Sequence, residues 1–120
     1  MRSVYIAGKY SDKDEAGEDK NIMLAAAVAA EYLKDGWAVF CPHTMTQIID
    51  RKFNRPRQLK WEDWLAADIH WISKCDAIHM LPNWRESEGA KVEYLVAKGL
   101  GLEIQETMLW KYGDKYDGKQ

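Results

Sequence analysis

Cysteine is scarce: Cys41 and Cys75 are the only two in 120 residues, too few for a disulfide framework or a four-ligand zinc site. They read as reduced structural thiols of a cytoplasmic protein. The 3 histidines, His43, His70 and His79, lack metal-ligand spacing, so no metal is expected. Long hydrophobic runs are also missing. The longest, Ile22 to Ala30, has 9 residues, far short of the ~20 that cross a bilayer. Asp12, Asp14 and Glu15 precede any such run, which is not the pattern of a signal peptide. Nor is there an excess of positive charge. With 17 basic and 19 acidic side chains the net charge is -2, so a global basic field that would hold nucleic acid is absent. Neither a membrane nor a specific nucleic acid is an expected partner. The 3 prolines and 8 glycines form no linker, and no repeat divides the chain. One domain is expected.

What is present is globular composition: 47% hydrophobic and 30% charged residues, with 6 tryptophans and 6 tyrosines. At this size roughly two-thirds of the unfolded surface is buried on folding, enough for a core without staples. Ser3 to Ala7 is a β-prone run stopped by Gly8, and the acidic residues after it read as a loop. Asn21 to Lys34 is rich in Ala and Leu, has an Asn start and ends at Asp35-Gly36, which reads as a helix. Ala38 to Cys41 is a second strand closed by Pro42, followed by a polar stretch from Thr44 to about Arg57. Trp61 to Lys74 reads as a helix, Ala77 to Leu81 as a third strand, Gly89 to Leu100 as a helix stopped by Gly101, and Leu102 to Ile104 as a short fourth strand. Met108 to Tyr112 would add a final element, and residues 113–120 a disordered tail to a domain spanning 1–112. Strands alternating with helices make an α/β parallel sheet of 4–5 strands joined by right-handed crossovers. Such sheets bind ligands beyond the carboxyl ends of their strands, here Gly8 to Ser11, Pro42 to Thr46 and Pro82 to Glu93.

No phosphate-binding P-loop, spaced-glycine dinucleotide fingerprint, H-E-x-x-H or G-x-S-x-G is found. Misplaced carboxylates are more informative. Glu93 shares a helix face with Gly89, Ala90, Val96, Ala97 and Leu100, where it is the only charge. Buried without a partner, it costs several kcal/mol or shifts its pKa; alternatively it is a helix-start carboxylate favoured by the dipole. Asp68 repeats the oddity among Trp64, Leu65, Trp71 and Ile72, with an internal salt bridge or a helix cap as the plainer reading. Two such carboxylates are raw material for chemistry at an acetal carbon. Tyr5, mid-strand, reads first as core. Ser87 and Gly89 open the Glu93 helix, where free N–H groups suit a phosphate, although Ser87 is equally an N-cap. Cys41-Pro42-His43 places a thiol and an imidazole at a strand end, on opposite sides of the strand. Arg51 to Lys60 holds 5 basic residues and no acid: a solvated loop, an attractor of anions, or a lid. Trp84 either packs over the sheet edge or stacks on a base.

Ser3-Val-Tyr5-Ile-Ala-Gly8, the step from Asp68 to Cys75-Asp76, and Ser87-Glu-Gly89-Ala-Lys-Val-Glu93 together resemble the nucleoside 2-deoxyribosyltransferase superfamily, most closely its 2'-deoxynucleoside 5'-phosphate N-hydrolases. The loop Leu81-Pro-Asn-Trp84 is also similar to small phage and bacterial relatives. The resemblance covers Ser3 to Ile104 and departs at Lys91, where the hydrolases carry glycine. It implies a flavodoxin-like fold and hydrolysis of the base–deoxyribose bond of a deoxynucleoside monophosphate, with base exchange or non-catalytic nucleotide binding as alternatives. Glu93 would be the nucleophile, Asp68 would support departure of the base, and Tyr5 would orient Glu93. Gly8 and Ser87 would hold the 5'-phosphate, with Lys9, Gly89, His43 and Trp84 completing the substrate site. The resemblance implies no metal or organic cofactor, and a homodimer.

Overall fold

The computed structural model describes residues 1–107; the expected final element and the tail lie outside the described residues. Four parallel strands, β1 (Ser3–Ala7), β2 (Ala38–Phe40), β3 (Ala77–Met80) and β4 (Glu103–Glu106), form one sheet in the order β2-β1-β3-β4. The fold is α/β, of the flavodoxin or Rossmann-like type. β1 is central because its Val4-Tyr5-Ile6-Ala7 run is buried on both faces, as a strand flanked by parallel neighbours must be. Four helices are described: α1 (Glu15–Lys34), α2 (Pro42–Met45), α3 (Trp61–Ile72) and α4 (Glu88–Leu100).

The path from β1 to β2 runs one way across the sheet, and the paths from β2 to β3 and from β3 to β4 run the other way. Crossovers of one hand therefore put α1 on one face and α3 and α4 on the opposite face. Two core layers record this. Val4 and Ile6 pack with Ala25 and Val28 of α1, whereas Tyr5 and Ala7 pack with Ile72 of α3 and with Ala90 and Ala97 of α4. The alternation along β1 thus decides that Tyr5 points to the α3–α4 side.

The boundaries differ from expectation where tertiary charge pairing intervenes. α1 starts at Glu15, not Asn21. Asp14 caps it by accepting from the Gly17 N–H at 2.8 Å, and Arg51 pairs with Glu15, Glu18 and Asp19 at 3.8, 3.4 and 2.8 Å. An acidic stretch that reads as loop becomes helix once a guanidinium gathers its carboxylates. β2 ends at Phe40 because Cys41 is already the N-cap of α2. The polar stretch after it is not irregular: it contains α2 and a π-helical turn, Ile49–Phe53. α3 stops at Ile72 rather than Lys74, and β4 lies one to two residues beyond its expected place. α4 ends as expected at Gly101, whose φ of 81° is left-handed and suits glycine.

Candidate active site

The site is assembled where the chain reverses direction across the sheet, beyond the carboxyl ends of β1 and β3, as open parallel sheets require. Tyr5 is fully buried and held by an aromatic column. Its ring stacks on Phe40 at 5.8 Å, and Phe40 stacks on Trp71 at 4.8 Å. The Tyr5 hydroxyl donates to Glu93 Oε2 at 2.8 Å. Glu93 is 6% exposed, on the face of α4 turned to the sheet, so its apolar stripe does carry a buried carboxylate. Asp68, half-buried on α3, stands close enough to act electrostatically on both.

Burial raises the pKa of Glu93 well above the usual carboxylate range, and the negative charge of Asp68 raises it further, while the Tyr5 hydrogen bond opposes the rise. Burial also raises Asp68, against hydrogen bonding with Glu93 and Tyr5 that favours its ionised form. Tyr5 is pushed up by burial and by both carboxylates, and keeps its proton. The two carboxyl groups form one coupled acid pair.

A cavity of about 370 Å³ lies over this triad, within the ~300–1,000 Å³ typical of small-molecule sites. The α4 mouth forms one wall. Ser87 Oγ accepts from the Ala90 N–H at 3.1 Å as the N-cap, leaving its own hydroxyl proton free to turn to a ligand. Gly89 faces the cavity, with the indole nitrogen of Trp61 nearby. Two acids flank this mouth, and each is paired with a lysine: Glu86 with Lys9 at 3.4 Å and Glu88 with Lys91 at 3.2 Å. Gly8 and Lys9 form the floor at the end of β1. A Cβ on Gly8 would come within 2.6 Å of Leu81, so this glycine lets the β1 end pass close to the β3 end.

His43 lines the β2 side and is almost wholly buried. Its Nε2 lies 3.0 Å from the Lys9 carbonyl oxygen, which can only accept, so Nε2 carries the proton. Nδ1 is then a buried acceptor without a hydrogen-bond partner among the described residues. Burial holds the imidazole pKa down at about 4, so the ring is neutral at physiological pH.

A family model described as a domain of unknown function, DUF4406, matches residues 2–106, the entire span from β1 to β4. The chain belongs to the DUF4406 family. No curated protein matches it.

Of the candidates expected in this DUF4406 domain, Tyr5, Gly8, Lys9, His43, Asp68, Ser87, Gly89 and Glu93 all border the one cavity. Trp84 does not. It is buried, stacks on Tyr94 at 4.8 Å and donates its indole N–H to Glu106 at 3.0 Å. Its place in the α4 core layer withdraws it from the cavity. Trp61 and Trp64 of α3 supply the aromatic wall instead. Neither was singled out, because on a helix pattern both read as packing residues.

The arginines of the basic stretch are paired: Arg51 is bound to α1, and Arg55 and Arg57, both exposed, meet Asp50 at 2.9 and 3.6 Å. Asp50 and Tyr10 both line the cavity, and the Tyr10 hydroxyl donates to Asp50 at 3.4 Å. Burial would raise Asp50, but hydrogen bonds and charge from Arg55, Asn54 and Arg57 hold it below the usual range. One signal in the sequence points to Asp50: it is the only acid between Cys41 and Lys60.

Among the described residues no cluster of metal-ligating side chains occurs, and no helix is long and apolar enough to cross a membrane.

Proposed function

We propose that this DUF4406 domain is an N-glycosidase that cleaves the base–deoxyribose bond of a 2'-deoxynucleoside 5'-monophosphate, and that it belongs with the nucleoside 2-deoxyribosyltransferase superfamily. The observation that carries this reading is the buried Tyr5–Glu93–Asp68 constellation under a small-molecule cavity. A carboxylate so poorly solvated keeps its nucleophilicity, provided something holds it in place, and Tyr5 does so.

In the proposed reaction Glu93, ionised, attacks the anomeric carbon through an oxocarbenium-like transition state. The C–N bond breaks and its electron pair leaves with the base, which takes a proton from Asp68. Water then adds its oxygen to the anomeric carbon and gives a proton to Asp68 as the C–O bond to Glu93 breaks, releasing deoxyribose 5-phosphate and restoring both carboxyl groups. The acid pair suits this sequence: burial favours the protonated form of both carboxyls, and a proton placed on Asp68 leaves Glu93 charged. The 5'-phosphate would lie at the α4 mouth, against the Ser87 hydroxyl and the N–H groups of Glu88 and Gly89, which have no acceptor within the helix. The same reading proposes a homodimer, which sedimentation tests.

The experiment is chromatography of free base after incubation with a panel of deoxynucleotides, ribonucleotides and nucleosides. Base release from a deoxynucleoside monophosphate supports the reading. Release only when a second free base is present, with a new nucleoside formed, would make the protein a deoxyribosyltransferase. Protection against thermal unfolding with no base released would make it a nucleotide-binding protein.

A further inference from the structure

Taking the proposed nucleotide reading as its basis, we infer that Arg57, held at the cavity rim by Asp50, reads the base and selects purines bearing an oxo group over those bearing an amino group.

The sheet order sets the direction in which the ligand lies. β2 and β3 flank β1 on opposite sides. The α4 mouth follows β3, and the segment carrying His43, Asp50 and Arg57 follows β2. A nucleotide with its anomeric carbon over Glu93 and its phosphate at the α4 mouth therefore extends its base toward the β2 side.

Of the charged side chains on that segment, Asp50 and Arg57 line the cavity. Their pairing is unequal. Arg55 takes Asp50 Oδ2 at 2.9 Å, whereas Arg57 Nη1 stands at 3.6 Å from Oδ1. Arg55 does not line the cavity; it anchors the carboxylate, and the Tyr10 hydroxyl adds a bond to the same oxygen. Arg57 can thus turn toward a ligand without leaving Asp50 uncompensated. A guanidinium carries five N–H donors and no acceptor. A carbonyl oxygen beside an unprotonated ring nitrogen, as O6 and N7 of a 6-oxopurine, satisfies such a fork, while an exocyclic amine at C6 meets it donor against donor. Asp50 is a positioning residue here, acting through Arg57.

One pair of 2'-deoxynucleoside 5'-monophosphates isolates the difference, because on the edge that carries N7 its members differ only in oxo against amino: those of hypoxanthine and adenine. Base release gives kcat/KM, and quenching of tryptophan fluorescence gives Kd independently of turnover. The hypoxanthine nucleotide should be favoured about tenfold, and failure of both purine nucleotides to bind overturns the assignment. The Arg57→Ala variant should bring that ratio close to one; the side chain is half-exposed, so its loss leaves the core intact. An oxo-to-amino ratio near one in the unmodified protein overturns the assignment, as does a ratio that Arg57→Ala leaves unchanged. A loss in Arg57→Ala that is equal across monophosphates and absent for nucleosides also overturns it, and moves the guanidinium to the phosphate. A Kd ratio that depends on Arg57, with no base released, sustains the assignment and removes the glycosidase. Absence of both binding and release for every nucleotide removes both.

Discussion

The hydroxyl of Tyr5, in the middle of β1, donates a 2.8 Å hydrogen bond to the carboxylate of Glu93, 88 positions away in α4. The bond favours the ionised form of a carboxyl that burial and Asp68 push toward protonation. Tyr5→Phe removes only the donor and keeps the ring stacked on Phe40. The expected result is a loss of about 10- to 100-fold in kcat, from a hydrogen bond to a charged group worth ~1.5–3 kcal/mol. The acid limb of the pH–rate profile should move to higher pH, because Glu93 ionises with more difficulty. A profile that does not move would mean that Tyr5 serves packing alone.

Glu93→Gln should abolish base release by at least ~10³-fold, as expected for a lost nucleophile, and yet stabilise the fold at neutral pH. The sign follows from the raised pKa. Above the ordinary carboxylate range, folded Glu93 still holds a proton that the unfolded chain has lost. Stability therefore falls as pH rises through that window, until Glu93 is ionised in both states. Glutamine keeps the shape without this burden. Thermal unfolding from pH 4 to pH 8 should show a gain in Tm for the variant that grows with pH and vanishes near pH 4. A variant less stable at pH 8 contradicts the buried-acid account.

Asp68→Asn should slow the reaction strongly for natural bases and less for a deoxyriboside with an activated leaving group. A general acid matters most when the departing base needs its proton. Equal losses on both substrates would assign Asp68 a structural role.

Ser87 has two separable jobs. As the N-cap of α4 its loss in Ser87→Ala should cost ~1 kcal/mol of stability in urea denaturation. As a proposed phosphate donor its loss should reduce the preference for monophosphate over nucleoside by about one to two decades, with nucleoside turnover nearly unchanged. Comparable activity on both in the unmodified protein would refute the phosphate assignment.

Gly89 offers a complementary test. A Cβ there meets nothing closer than the Trp61 indole nitrogen at 3.5 Å, an ordinary contact. Gly89→Ala should be neutral or stabilising by up to ~1 kcal/mol, because alanine restricts the unfolded chain and favours helix. Its methyl group would nonetheless stand at the α4 mouth and raise KM for the monophosphate. Unchanged KM would place the phosphate elsewhere.

Periodicity and punctuation in the sequence determined most of the architecture. Short, near-continuous apolar runs ending at Gly8, Pro42 and Pro82 mark three strands, and the stripe around Glu93 marks a helix face turned to the core, because burial imposes those patterns locally. Glu93 and Asp68 were legible as candidates for the same reason: a charge on an apolar stripe contradicts its surroundings. Other features were decided by residues distant in sequence. The acidic start of α1 is helical because Arg51 collects its carboxylates, and two arginines of the basic stretch are paired with Asp50. Trp84 went to the α4 core layer and Trp61 to the cavity, although both are tryptophans near helix starts; sequence spacing says which face a side chain shares, not what lies opposite. The Tyr5–Glu93 bond is the clearest case. From its own pattern Tyr5 reads as core and Glu93 as a misplaced charge, and only the resemblance joins them; the packing of α4 against β1 brings the two into a hydrogen bond.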